Sequence, residues 1–162
     1  MVVLGISIGT RLNGIAVIAG NEFEAAQMFS ICGRWSPKKI DGFLRVYKRY
    51  IRRHRVSIVV IKIPKPSHFT LALKQLIRAV DAYVKKQGCL IEYTTIEQIK
   101  KAEPSIKNRN DVREFVVATY PELLLTKHKD IQNKQPYYMK LFEATIVAHI
   151  ENMRNGVDTT NG

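Results

Sequence analysis

At 162 residues and 46% hydrophobic content, the chain is sized for one compact domain with a real core, which excludes disordered and fibrous classes. Lys and Arg number 26 against 14 Asp and Glu, a formal net charge of +12, so the surface favours polyanionic partners, nucleic acid before an anionic membrane. The apolar residues 1–8 lack a basic leader and meet Gly9 and Arg11 too early for a signal peptide or membrane span. Cys32 and Cys89 have neither metal nor disulfide spacing. These features predict a cytoplasmic protein whose two thiols are small buried hydrophobes.

Residues 2–8, 14–19 and roughly 23–32 read as strands, separated by turn formers at 9–13 and at Gly20-Asn21; connections this short predict an antiparallel meander. Past the loop at Trp35 to Pro37, apolar residues recur at Phe43, Val46, Tyr47, Tyr50 and Ile51, one face of a helix ending near Arg55. Residues 56–63 are nearly continuous β-branched side chains, the pattern of a central parallel strand covered on both sides. Ser67 is a candidate cap for a second helix striped by Leu73, Leu76, Ile77, Val80, Tyr83 and Val84 and closed by Gly88. A fifth strand follows at 89–95, then helical segments at 96–102, near 111–120 and about 138–154, the last stopped by Gly156. The expected fold is α/β: a five-stranded mixed sheet of order 3-2-1-4-5, its first three strands antiparallel, flanked by helices. Residues 1–155 form the expected domain and 156–162 a loose tail.

The run Gly5-Ile6-Ser7-Ile8-Gly9-Thr10-Arg11-Leu12-Asn13-Gly14-Ile15-Ala16-Val17 resembles the first hairpin of RuvC-type Holliday-junction resolvases, Gly-x-Asp-Pro-Gly-Ser/Thr-Arg-x-x-Gly-x-x-Val. Gly5, Gly9, Thr10, Arg11, Gly14 and Val17 match it. A second stretch, residues 90–102, is similar to the family's strand and its EYTPxxVKKA segment, in register without a gap. The family's Gly-rich, Lys-bearing loop corresponds to Asn108-Arg109-Asn110-Asp111-Val112, which keeps a basic residue and lacks the glycines. The resemblance runs from Val2 to about Met153 and implies a ribonuclease H-like fold.

It also implies a site. Resolvases of this kind use four carboxylates, at the ends of the first and fourth strands and in the last helix, to hold two divalent ions. The corresponding positions here are Ser7, Lys62, Lys140 and Glu143, so one carboxylate remains. No Asp or Glu lies between residues 1 and 21 or between 42 and 80, so no small change of register restores the first two. Paired divalent ions need several anionic oxygens, and a Lys ammonium repels them. The expectation is therefore a nucleic-acid-binding domain without nuclease activity and without a cofactor, preferring branched DNA or structured RNA. Lys62 then either holds a phosphate in place of a metal or pairs with Glu143 and is neutralised.

The nucleic-acid-binding candidates are Thr10, Arg11, Arg45, Lys48, Arg49, Arg52, Arg53, Lys62, Lys65, Lys100, Lys101, Lys107 and Arg109, with Trp35 and Tyr137 as stacking candidates. The histidines share no metal-ligand spacing, and His149 is the one expected near the pocket. One alternative is a junction or structure-selective endonuclease using Mg²⁺ or Mn²⁺, in which Glu143 and some of Asp111, Glu114 and Glu92 form a rearranged metal site. A second is a protein-interaction module. The Gly5-to-Thr10 hairpin also resembles the phosphate loop of actin and sugar-kinase ATPases, which bind ATP between two such domains. A homodimer through Leu73, Tyr83 and Val84 remains open.

Overall fold

The computed structural model describes residues 1–132 and 137–160, with side chains described as far as residue 156. Three strands, β1 (Val2–Ser7), β2 (Leu12–Ala19) and β3 (Glu22–Ser30), form the antiparallel meander, and β4 (Ile58–Lys62) and β5 (Leu90–Thr94) add in parallel beyond β1. The sheet order is β3-β2-β1-β4-β5, as the pattern of short and long connections predicts. Parallel pairing follows from the two helical crossovers. α1 (Pro37–His54) carries the chain from β3 to β4, and α2 (Leu71–Lys86) carries it from β4 to β5.

Local chemistry sets the helix ends. Ser36 caps α1 by accepting from the Lys39 amide, with Pro37 at the first helical position, and Arg55 closes it in the left-handed region. Thr70 caps α2, three residues later than Ser67, because Pro66–His68 first makes a separate 3₁₀ turn. A Thr95–Gln98 capping box opens α3 (Ile96–Ala102), and Asn108 caps α4 (Arg109–Thr119). α5 (Leu124–Gln132) is a helix that the sequence pattern did not suggest, and α6 (Met139–Thr160) runs through Gly156 rather than ending before it. Gly156 has no positive φ, so it stays in the helix at a propensity cost of about 1 kcal/mol instead of terminating it.

The sheet is covered on both faces. Leu4, Ile6, Ile15, Val17, Val59 and Ile61 point to α1 and α2, where Phe43, Tyr47, Leu76 and Val80 pack. Val3, Ile18, Ile58 and Val60 point to the other face, against α3, α4 and α6, through Ile99, Val112, Val116, Phe142 and Ile146. Two glycines bring α6 onto the sheet. A β-carbon at Gly5 would sit 2.0 Å from the Ala144 carbonyl oxygen, and one at Gly14 2.2 Å from that of Lys140, so backbone touches backbone there.

Two expectations about burial need correction. Cys32 is exposed and Cys89 only half-buried, its thiol donating to the Val56 carbonyl, so neither is a fully buried hydrophobe. Leu73 and Val84 lie inside the core and do not form a surface for a second copy; Tyr83 is half-buried. Among the described residues no helix is long and apolar enough to cross a membrane.

Candidate nucleic-acid interface

The parallel strands β1, β4 and β5 end along one edge of the sheet. Ser7 and Lys62 are paired in register as the last residues of β1 and β4, with Thr94 beside Lys62 on β5. Pleating sends Ser7 and Lys62 to the same face as Val3, Gly5 and Val60, the α6 face. The Gly5 and Gly14 contacts fix α6 at that height, so Lys140 and Glu143, one turn apart on its first two turns, meet the strand ends.

The four positions converge. Lys62 Nζ lies 2.5 Å from Glu143 Oε2, and Ser7 Oγ donates to the same oxygen at 3.1 Å. Both charged side chains are largely buried, at 19% and 14% exposure. Lys140 Nζ donates to the Ile8 carbonyl at 3.2 Å. Burial pushes the Lys140 ammonium below the usual lysine range; Glu143 counteracts this and Lys62 adds to it. Of the two outcomes open for Lys62, pairing with Glu143 is the observed one. The neutralisation is incomplete, since one carboxylate stands against two ammonium groups.

Outward from this pair opens a cleft of about 340 Å³. Its walls come from the β4 end and the following segment (Lys62 to Lys65, His68), the start of α3 (Thr95, Ile96, Glu97, Lys100), the start of α4 (Asn108, Arg109, Val112) and α6 (Met139, Glu143). Four cations, Lys62, Lys65, Lys100 and Arg109, face two carboxylates, Glu97 and Glu143. Lys65, Lys100 and Arg109 make no ion pair among the described residues. The N-terminus of α4 adds its partial positive charge on the same side. Ile63, Ile96, Val112 and Met139 give the floor an apolar component. A cationic rim over an apolar floor suits a phosphate joined to a sugar or base.

Beside the cleft, Asn13 fastens the β1–β2 turn. Its Oδ1 accepts from the Gly9 amide and from the Tyr47 hydroxyl, and its Nδ2 donates to the Gly9 carbonyl, each at 2.9 Å. That turn carries Thr10 and the exposed Arg11 on the same edge of the sheet. Lys101 and Lys107 are exposed but outside the cleft lining. Arg45, Lys48, Arg49, Arg52 and Arg53 lie on α1, across the sheet from the cleft, so the basic candidates divide into two groups. Trp35 is held by Gln75, to which its Nε1 donates at 2.8 Å, whereas Tyr137 is exposed.

His149 is not in the cleft. It sits under α4 with Tyr120, hydroxyl to Nδ1 2.8 Å, and against Phe115; the histidine that lines the cleft is His68. The acids proposed for a rearranged metal site are not drawn together. Asp111 accepts from the Lys107 amide, Glu114 pairs with Lys127, and Glu92 is an exposed residue of β5. No group of three His, Cys, Asp or Glu able to hold a metal occurs among the described residues. Two divalent ions therefore do not fit the residues present at the strand ends: a serine, two lysines and one glutamate.

The solved structure of Thermus thermophilus RuvC superposes with a TM-score of 0.77, at 15% identity and over 98% of each chain. The fold is RuvC-like. T. thermophilus RuvC in complex with a Holliday-junction substrate matches at 0.74, with 15% identity over 98% of this chain and 97% of its own. The fowlpox virus resolvase bound to Holliday-junction DNA matches at 0.55, with 14% identity over 94% and 99%. No protein-family model and no curated protein matches the sequence. The RuvC-like architecture thus stands on three-dimensional likeness and on the two sequence segments.

Proposed function

We propose that this RuvC-like protein binds branched DNA or structured RNA in the cleft at the ends of β1, β4 and β5, and does not hydrolyse it by the two-metal route. The observation that carries the reading is the Lys62–Glu143 ion pair, with Ser7 on the same oxygen, at the place where a resolvase would gather carboxylates. A Lys ammonium supplies a fixed positive charge to a phosphodiester without lowering the pKa of a water, so it supports binding and not attack. Lys65, Lys100 and Arg109 add unpaired cations that track a backbone, and Arg11 extends them along the edge. The T. thermophilus and fowlpox structures hold Holliday junctions, which favours a branched ligand here. The free thiols of Cys32 and Cys89 suit a reducing, cytoplasmic setting.

The test is a salt-titrated gel shift against a four-way junction, linear duplex and single strands, with and without Mg²⁺ or Mn²⁺. The junction should be preferred, binding should be indifferent to the metals, and the DNA should emerge intact. Three phosphate contacts, one for each unpaired cation of the cleft (Lys65, Lys100 and Arg109), give a log–log salt slope of about −2.7. Metal-dependent cutting that Glu143→Ala abolishes would overturn the non-hydrolytic reading, and absence of any shift at low salt would overturn the binding reading.

A further inference from the structure

We propose that the outer face of α1 is a second, separate polyanion-binding surface, which takes the phosphate backbone of a nucleic-acid segment other than the one in the cleft. α1 is amphipathic in an unusual way. Phe43, Tyr47 and Ile51 are buried against the sheet, while Arg45, Arg49, Arg52 and Arg53 are exposed and Lys48 is half-exposed on the side away from it. The one acid on the helix, Asp41, precedes them by a turn, and none of the five cations pairs with a carboxylate among the described residues. The neighbouring acid on β3, Glu24, is engaged by His54 at 2.8 Å.

A helix end accounts for part of this charge. Arg52 and Arg53 stand in the last turn, where the helix dipole favours cations; Arg45, Lys48 and Arg49 lie too far from that end to gain from it. Five like charges on three turns repel one another, and a polyanion is what relieves that repulsion. From Arg45 to Arg52 the helix rises about 10 Å, enough to follow roughly three successive phosphates of one strand. Between β3 and α1 a shallow dish lined by Gln27, Arg49, Tyr50 and Arg53 gives the same surface some relief. A membrane surface is the poorer occupant: the apolar side of α1 is spent on the core, so no apolar face is left to insert.

Position makes the surface distinct. The cleft belongs to the α3–α4–α6 face of the sheet and α1 to the opposite face, with the sheet and a helix layer between them. A single straight segment lying in the cleft does not reach α1, so one molecule can hold two segments, such as two arms of a junction or two separate duplexes. The bridging part of the inference rests on the cleft being a nucleic-acid site; the α1 surface does not.

The experiment is a two-step capture. Protein is bound to a bead-linked four-way junction, washed, and offered a fluorescent linear duplex across a salt series. Three proteins are compared: the parent chain, the α1 variant Arg45→Gln/Arg49→Gln/Arg52→Gln/Arg53→Gln, and the cleft variant Lys65→Gln/Lys100→Gln/Arg109→Gln, with circular dichroism confirming that each is folded. All substituted side chains are exposed. The α1 variant should stay on the junction beads yet capture at least about tenfold less duplex, with the salt slope of the second step shallower by about 3.6. Duplex capture by the α1 variant equal to that of the parent overturns the inference, as does parent protein that captures phosphatidylserine-containing vesicles but no duplex. If instead the cleft variant matches the parent in both steps, the cleft reading falls while the α1 surface stands.

Discussion

Glu143→Gln is the most informative single substitution in this protein. Glutamine keeps the volume and an oxygen for the Ser7 hydroxyl, so what is lost is charge: Lys62 and Lys140 are left in a largely buried setting with no counter-ion. Breaking a fully buried pair by removing one partner costs about 3–5 kcal/mol, and the residual exposure of both side chains here lowers that to about 2–4 kcal/mol. At roughly 2–4 °C per kcal/mol for a chain of this size, the melting point should fall by about 6–12 °C for a 3 kcal/mol loss. Lys62→Met should cost less, about 1–2 kcal/mol, because the nearby Lys140 ammonium still offsets part of the Glu143 charge from its seat on the Ile8 carbonyl. The double variant removes both charges and should be about 2 kcal/mol more stable than the sum of the singles predicts. Urea unfolding followed by circular dichroism gives all four corners of the cycle. The coupling should persist at high salt, since counter-ions screen a buried pair poorly. Strictly additive singles, or a Glu143→Gln cost below about 0.5 kcal/mol, would refute the pair as a structural element of the site.

Two further outcomes follow from the packing. Gly14→Ala pushes a β-carbon into the α6 backbone at Lys140 and should cost on the order of 3 kcal/mol or more, whereas Gly20→Ala, in open space at φ +61°, should cost only about 1 kcal/mol; equal losses in thermal melts would discredit the close-approach argument. Burial holds the His149 imidazole below its usual pKa, with Glu103 opposing weakly. The unfolded chain therefore binds the proton first, so this contribution is complete above about pH 6.5 and is lost as pH falls toward the folded value. His149→Phe should flatten that part of the acid-unfolding profile, and an unchanged profile would count against it.

The strands and the sheet order were legible because their signals are local: unbroken β-branched runs, short turns between the first three strands, and long amphipathic connections to the last two. Helix starts slipped where two caps competed, as with Ser67 and Thr70, since only the folded chain decides that Pro66–His68 closes as its own turn. α5 escaped because its apolar residues lack burial behind them. Leu124, Leu125 and Ile131 are exposed, and no core-facing period marks the helix. The four strand-end and α6 positions came from family resemblance, and the Lys62–Glu143 pair was one of two outcomes left open, but the Ser7–Glu143 bond was not legible, because the two residues are 136 apart in sequence. His68 was missed, and Asn108 was read as part of the loop segment 108–112 without a place in a cleft. His68 sits in a 3₁₀ turn, which gives no hint of the cleft it borders, and Asn108 serves there as the cap of α4. His149, conversely, shares a helix with Glu143 and was expected near it, yet six residues of helix turn it toward Tyr120.

Backbone and charge are separable in this architecture, and that separation explains how a resolvase-like frame accommodates a cationic centre. Gly5 and Gly14 set the distance from sheet to α6, and Asn13 sets the β1–β2 turn; none of the three depends on what Ser7, Lys62, Lys140 or Glu143 carry. Four carboxylates crowded at the strand ends would repel one another and need divalent ions to hold them. Here the same positions satisfy themselves, because Glu143 bridges a serine hydroxyl and a lysine, and Lys140 is anchored on the Ile8 carbonyl. The surplus ammonium leaves the centre mildly electropositive, which is why the proposed function gives it attraction for a phosphate and no means of activating a water. On the proposed reading, a site built this way stabilises its ligand in the ground state alone, and since only differential stabilisation of the transition state accelerates a reaction, the proposal predicts binding without turnover.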